Sequence, residues 1–393
     1  MRASGDLVVL GIAQEQHPDR TRLFAQWHEI DWPILWDPFN LTGSTAVPGF
    51  TAIDEHGVVR SLRPRPETFE DEFLFVDFDP PARTSQDDWV LTPQILAAGP
   101  GESPVSAVAW FLGAPWSRVA DGDPAPGADA ALALLERAAR EGGAPADLFR
   151  LGVARRLRFD SRVGSPSDFR AAVEAWGAAL AANPNQYVWR RRLQQYGPRL
   201  DKPYDFYGWV DQARAAIRAR GAEPVAVLAG LTDTERAGKG SDPVATDDER
   251  DPDPEGEIER DEGRLVSLDA ALVFHTDAIE GRQRGAAAAR AHVALWPERE
   301  RGVHWTNDAG AALVWIDRPP GWRIDRRLFR LAVPAAATSD EARGIDFELR
   351  PEPDAAPLAR LRGHALYYVC EGDGGRCIYR RQDFELELAV PGG

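Results

Sequence analysis

Two cysteines, Cys370 and Cys377, bracket the residues Glu-Gly-Asp-Gly-Gly-Arg, and the chain contains no others. Asp-Gly at the centre of such a span is the preferred pair for a two-residue type I′ turn. Strands paired in that register set Cys370 opposite Cys377, Glu371 opposite Arg376 and Gly372 opposite Gly375, with Asp373 and Gly374 in the turn. Directly opposed residues of an antiparallel pair have Cα atoms ~4.5–5.5 Å apart, within reach of a disulfide. Hairpin geometry strains such a bond, and a strained, exposed disulfide is readily reduced. Three states of the pair stand open from the residues alone: a redox-exchange disulfide, a static staple, or two reduced structural thiols. A zinc site needs further ligands, and His364 is the one nearby candidate, so no metal is expected.

The hairpin closes a run of short segments beyond Arg264 that alternate in polarity and end at Gly, Pro or Asp: LDAALVFHTDA, AAARAHVALWPE, AALVWIDRP, LFRLAVP, GIDFELRPE, HALYYVC and CIYRRQDFELELAV. This texture predicts an antiparallel sandwich. Its expected core draws on Trp296, Val314, Trp315, Phe347, Leu366, Tyr368 and Phe384. VHWTN at 303–307, followed by VWIDRPPGW, and YYVCEGDGGRC resemble the N-terminal domain of the thiol-disulfide interchange protein DsbD. That domain is an immunoglobulin-like sandwich with a redox-active cysteine pair on a late hairpin. The resemblance spans 265–390 and implies redox activity for Cys370 and Cys377. It departs by one extra residue between the cysteines and by the lack of an attached membrane domain.

The opposite end of the chain carries a different pattern. Asp6–Ile12 is an apolar run of strand length, Pro18–Glu29 has helical spacing, and Trp32–Pro38 reads as a second strand. Phe50–Asp54 and Val58–Leu62 then flank a turn at Gly57. With AVPGFTAIDEHGVVR, this order resembles the thioredoxin and peroxiredoxin superfamily over residues 6–64. The resemblance implies that Pro48 is the cis-proline beside an active site. The first strand and the cysteine-bearing helix, whose dipole lowers the thiol pKa in that family, have no counterpart here. Either they precede Met1 or the segment has kept only its packing. His17, His28 and His56 read as solvated side chains without ligand spacing.

Between these ends, Glu67–Thr92 and Ala97–Pro126 read as a connection with short strands, and the texture turns helical at Ala128. A helix pair over Asp147–Gln186, with Ser165–Asp168 supplying caps, resembles a tetratricopeptide repeat on Leu151, Gly152, Ala172, Trp176, Ala179 and Pro184. Ala128–Gly142 and Tyr187–Arg220 are expected as flanking helices. The Arg and aromatic residues over 189–209 predict packing of Arg stems on rings. Ser241–Gly263 is acid-rich, nearly devoid of apolar side chains and read as a solvated tether.

Charge narrows the function. A formal net charge of −16 argues against wrapping nucleic acid or an anionic membrane, because phosphate binding needs clustered cations. No apolar run approaches the ~20 residues of a membrane span, and Met1–Asp6 lack the features of a signal peptide. As written the chain reads as cytoplasmic, with a start that looks truncated.

The expected organisation is multidomain α/β + α + β: a thioredoxin-like segment (1–92), a connector (93–127), a tetratricopeptide-like module (128–232), an acidic disordered linker (233–263) and a DsbD-like β-sandwich (264–393). The expected function is thiol-disulfide exchange with a protein partner through Cys370 and Cys377, without a cofactor. The rival is a non-catalytic protein-binding scaffold in which the same pair only staples a hairpin. No Gly-x-Ser-x-Gly elbow, phosphate loop or His-Glu-x-x-His motif supports hydrolase or nucleotide chemistry.

Overall fold

A computed structural model describes residues 7–80, 103–113, 127–161, 164–227, 235, 249–282, 287–353, 355, 358–372 and 375–389. The chain is mixed α/β. In the N-terminal segment, β1 (Gly11–Ala13) and β2 (Ile34–Trp36) pair in parallel across α1 (Pro18–Trp27), whose first turn accommodates Pro18 because that position needs no N–H. β3 (Ala52–Ile53) and β4 (Val59–Ser61) form an antiparallel hairpin. Asp54 shapes its turn by accepting from the N–H groups of His56 (2.9 Å) and Val58 (2.8 Å), while Gly57 supplies a φ of +78°. Among the described residues no ladder joins the two pairs.

The connection after β4 differs from the short strands expected. It holds a π-helical turn, Glu70–Leu74, and a helix, α2 (Pro104–Gly113), that buries Ala107, Val108, Ala109, Trp110 and Phe111. Reciprocal side-chain and backbone bonds between Ser103 and Ser106 start α2, a capping signal that the Gly- and Pro-rich surroundings masked.

Four more helices follow: α3 (Ala128–Glu141), α4 (Pro145–Phe159), α5 (Ser167–Ala182) and α6 (Tyr187–Gln194). α4 and α5 approach closely because residue 152 has no side chain; a Cβ there would sit 2.4 Å from Trp176 Cδ1. Trp176 fills that space and donates from Nε1 to the Phe149 carbonyl at 3.2 Å. The single flanking helix expected over Tyr187–Arg220 is instead two, α6 and α7 (Trp209–Ala219), separated by a 3₁₀ turn at Arg199–Asp201. Gly197-Pro198 breaks the first. Leu23 of α1 packs with Val210, Ala213 and Ile217 of α7. A buried polar cluster completes that contact: Arg192 donates to the Gln14 carbonyl at 2.7 Å, Tyr207 to Glu15 at 2.8 Å, and Arg20 to Glu235 at 2.7 Å.

The C-terminal part consists of two antiparallel sheets. The four-stranded sheet has the order β5 (Val266–Phe274), β6 (Ala289–Pro297), β12 (Arg343–Pro351), β9 (Trp322–Ile324). A four-residue helix, α8 (Thr276–Ile279), follows β5. The six-stranded sheet runs β10 (Leu328–Arg330), β8 (Leu313–Ile316), β13 (Leu358–Glu371), β7 (Val303–Thr306), β11 (Thr338–Ser339), with β14 (Cys377–Ala389) on β13's other edge. Ala270, Val293 and Phe347 of one sheet and Val314, Tyr367 and Val369 of the other share one core.

Three features correct the sequence reading. Leu366 and Tyr368 do not face that core: strand alternation gives it Ala365, Tyr367 and Val369, and Tyr368 is 37% exposed. Over 365–370 both parities of β13 are apolar, so alternation there misassigns the face. Trp296 points away from the sandwich and meets Phe159 of α4 at 5.5 Å. The four-stranded sheet therefore has two buried faces, and Ala271, Val273 and Ala289 join the core of the helices.

The third correction concerns the acidic run. Residues 249–263 are not a free tether but a strap along β14: Asp261 N–H donates to Arg381 O (2.8 Å), and Arg381 N–H donates to Glu259 O (3.0 Å). Its acids are matched by the arginines of β14, with Asp253 on Arg381 at 2.7 Å and Glu259 on Arg380 at 2.9 Å. Apart from Glu235, residues 233–248 lie outside the described residues.

Candidate functional site

Cys370 ends the long ladder between β13 and β14 and sits opposite Cys377 in register. The two are disulfide-bonded, with Cα atoms 4.0 Å apart. Gly375 N–H donates to Gly372 O at 3.1 Å; Asp373 and Gly374 lie outside the described residues. Gly375 is required sterically, since a Cβ there would meet the Glu371 carbonyl at 1.5 Å. On the other edge of β13, Glu371 lies opposite Val303 of β7 and pairs with Arg301 at 3.0 Å. Gly372 N–H donates to Gly302 O at 3.1 Å. The hairpin tip is thereby held to the start of β7.

The two cysteines differ in access. Cys370 is 4% exposed, whereas Cys377 is exposed on the edge strand. Cys370 belongs to the parity of β13 that faces away from the core, and its neighbours on that face follow from the pairing. His304 of β7 is directly opposite it, half-buried, with Nδ1 donating to the Gly302 carbonyl at 3.2 Å. One position along, Tyr368 and Tyr379 stack with ring centroids 4.3 Å apart. Burial, then the neighbouring Tyr368 and Asp253, raises the Tyr379 phenol pKa, so it stays protonated as a polar neighbour of the pair.

The strap borders the same face. Asp251 approaches His364 Nε2 at 3.2 Å and Arg260 pairs with Asp383 at 2.6 Å. Burial and then Arg381 lower the His364 pKa despite Asp251, which leaves the imidazole neutral at neutral pH. Burial alone would raise Asp253 and Asp383, but hydrogen bonds from arginines outweigh it and hold both carboxyls below the usual range.

Pro48 lies elsewhere. The Val47–Pro48 peptide bond is cis, and its loop is tied to the helices by Tyr187 N–H donating to Thr45 O at 3.2 Å. Among the described residues no hydrogen bond or ion pair joins residues 45–50 to the cysteine hairpin. His304 was not singled out from sequence, although VHWTN carries the signal: Val303 and Trp305 face inward, which puts His304 on the parity of Cys370. The strap pairs were missed because acids separated from their arginines by more than a hundred residues read as solvated.

Among the described residues no group of three or more His, Cys, Asp or Glu side chains is gathered to hold a metal ion, and no helix is long and apolar enough to cross a membrane. Compared with known proteins, the chain matches no protein-family model and no curated protein.

Proposed function

We propose that the chain exchanges disulfides with a protein partner through Cys370 and Cys377. The observation that carries this reading is the asymmetry of the disulfide: one sulfur's residue is buried on a central strand and the other's is exposed on an edge. Thiolate attack needs an open approach to the sulfur attacked. A thiolate of a reduced partner bonds to Cys377 Sγ, the Cys370–Cys377 bond breaks, and Cys370 leaves as the thiolate. The partner's second thiolate then attacks the mixed disulfide at the partner's own sulfur and releases Cys377. The balance is a partner dithiol oxidised to a disulfide and this disulfide reduced to two thiols; the reverse direction runs through the same intermediate, with Cys370 as the resolving thiol.

Further support comes from the architecture. Two packed antiparallel sheets ending in a cysteine hairpin fit an immunoglobulin-like sandwich of the DsbD N-terminal kind. β1-α1-β2 followed by Pro48 and the β3–β4 hairpin fits part of a thioredoxin-like fold, and the α4–α5 pair fits a tetratricopeptide-like module. The sandwich and thioredoxin-like likenesses share a thiol-exchange theme, which favours the redox reading over a scaffold.

The test is the reduction potential of the pair in the full chain, by thiol trapping and mass spectrometry across a glutathione series. A value above about −250 mV is expected; a value below about −300 mV makes the bond an inert staple and leaves the scaffold reading.

A further inference from the structure

A second site lies at the edge of the four-stranded sheet, where it meets α4, α5 and β10. β9 pairs only with Leu349–Pro351 of β12, so residues 343–348 have no strand on their outer edge among the described residues. A cleft of about 410 Å³ opens there, bounded by α4 and α5, the sheet and β10. That volume is in the range of sites for small organic ligands.

The walls combine aromatic surface with an excess of cations. Phe159, Phe169 and Phe329 line the cleft together with Val293, Leu331 and Ile345. Arg156, 2% exposed, reaches the cleft with its guanidinium 5.1 Å from the Phe169 ring and 5.5 Å from the Phe159 ring, while its Nε donates to Asp160 at 2.8 Å. The two carboxylates of the lining are already matched: Asp269 accepts from Arg170 Nε at 3.1 Å, and Asp346 lies 2.6 Å from His292 Nδ1. The exposed Arg326 and Arg330 complete the lining, and neither forms an ion pair among the described residues. Arg326 lies over the Phe329 ring at 5.6 Å. In a chain of net charge −16, two exposed arginines in the lining of an aromatic-walled cleft, neither ion-paired among the described residues, are a local reversal of sign.

From this combination we infer that the cleft binds a small organic anion with a flat apolar body, of the aromatic carboxylate class. The ring lies against the wall formed by Phe159, Phe169 and Phe329, and the anionic group meets Arg326 and Arg330 at the mouth. Apolar walls favour the ring through loss of hydrated surface, and charge-assisted bonds orient the head group. This site is independent of the cysteine pair.

The test uses the full chain and 2-naphthoate as probe, by isothermal titration calorimetry at low salt. We expect saturable 1:1 binding, weakened about tenfold or more in R326Q/R330Q, and equally weak binding of neutral 2-naphthamide to both proteins. A 2-naphthyl phosphate arm reports whether the mouth prefers the phosphate to the carboxylate head group, and tighter phosphate binding that is lost in R326Q/R330Q also supports the site. R360Q/R362Q, on the remote β13, must retain wild-type affinity. Absence of saturable binding by either anion up to about 1 mM overturns the proposal, as does unchanged affinity in R326Q/R330Q or equal loss in R360Q/R362Q. Should R326Q/R330Q fail to fold, A294F, which fills the cleft from β6, must abolish binding; undiminished binding by that variant overturns the site equally.

Discussion

At the scale of single residues, the difference in access between Cys370 and Cys377 gives the proposed exchange a direction of attack. With Cys370→Ser the exposed Cys377 remains to capture a partner sulfur, but the buried thiol that would expel it is gone. Mixed disulfides therefore accumulate on incubation with glutathione disulfide. With Cys377→Ser the remaining thiol is 4% exposed, and adducts form at least about tenfold more slowly. Intact-mass time courses of the two variants check this; equal rates would remove the asymmetry on which the proposed mechanism rests. Gly152 is a residue-scale constraint of another kind. Gly152→Ala places a methyl group 2.4 Å from Trp176 Cδ1, and either α4 and α5 separate or Trp176 leaves its rotamer. An overpacked contact of this sort costs about 1–3 kcal/mol, although alanine is otherwise the better helix former. Urea unfolding should show a lower midpoint, and a stabilised variant would contradict the close approach.

At the scale of elements, the strap over 249–263 is held by ion pairs and backbone hydrogen bonds rather than by an apolar face, so part of its attachment depends on pH. Asp253 and Asp383 both have carboxyl pKa values lowered in the fold by arginine partners. A lowered folded pKa contributes stability above the unfolded value and loses it as pH falls through the folded one. The strap is expected to loosen below about pH 4, ahead of the sheets, with Arg381→Gln producing the same loosening at neutral pH. Hydrogen exchange of the strap amides against those of β6 reads this; equal protection at pH 3 and pH 7 would refute it. The strap also shows why the sequence reading stopped where it did. The cysteine hairpin was legible because Asp-Gly, two glycines and two cysteines state a register within eight residues. The acidic run was not, because its partners Arg380, Arg381 and Asp383 lie over a hundred positions away and composition alone suggests solvation. α2 was hidden for a related reason: glycines and prolines around residues 104–113 dominate the local texture, while the buried Trp110 and Phe111 find their partners only in the assembled helices. Likewise β13 is apolar on both faces over 365–370, so whether Tyr367 or Tyr368 faces the core depends on the opposing sheet.

For the molecule as a whole, the join between helices and sandwich is polar at its rim and contributes two opposed limbs to the pH profile of stability. Arg190 meets Glu280 at 2.6 Å, Arg199 N–H donates to Glu348 at 2.9 Å, and His292 donates from Nε2 to the Tyr196 carbonyl at 2.8 Å. The titrating member of the join is His275, hydrogen-bonded through Nδ1 to Asp201, which also accepts from Thr276 N–H at 2.7 Å. Burial lowers the His275 pKa, but the Asp201 hydrogen bond and charge outweigh it and the net shift is upward. A base with a raised folded pKa contributes its full stability below the unfolded value of about 6.5 and loses it as pH rises through the folded one. Lys202, one residue beyond Asp201, acts with the opposite sign. Burial and then Arg290 push it down to about 8, so the unfolded chain binds the extra proton and stability rises again between about pH 8 and 10.5. Stability should therefore fall as pH rises above about 6.5 and recover above about 8. His275→Gln flattens the fall and Lys202→Met removes the recovery, each leaving the other limb in place. Chemical denaturation at half-unit pH intervals separates the two limbs. A single monotonic limb in the unaltered chain, or a fall that survives His275→Gln, would mean that the Asp201 contact does not raise the His275 pKa in the fold.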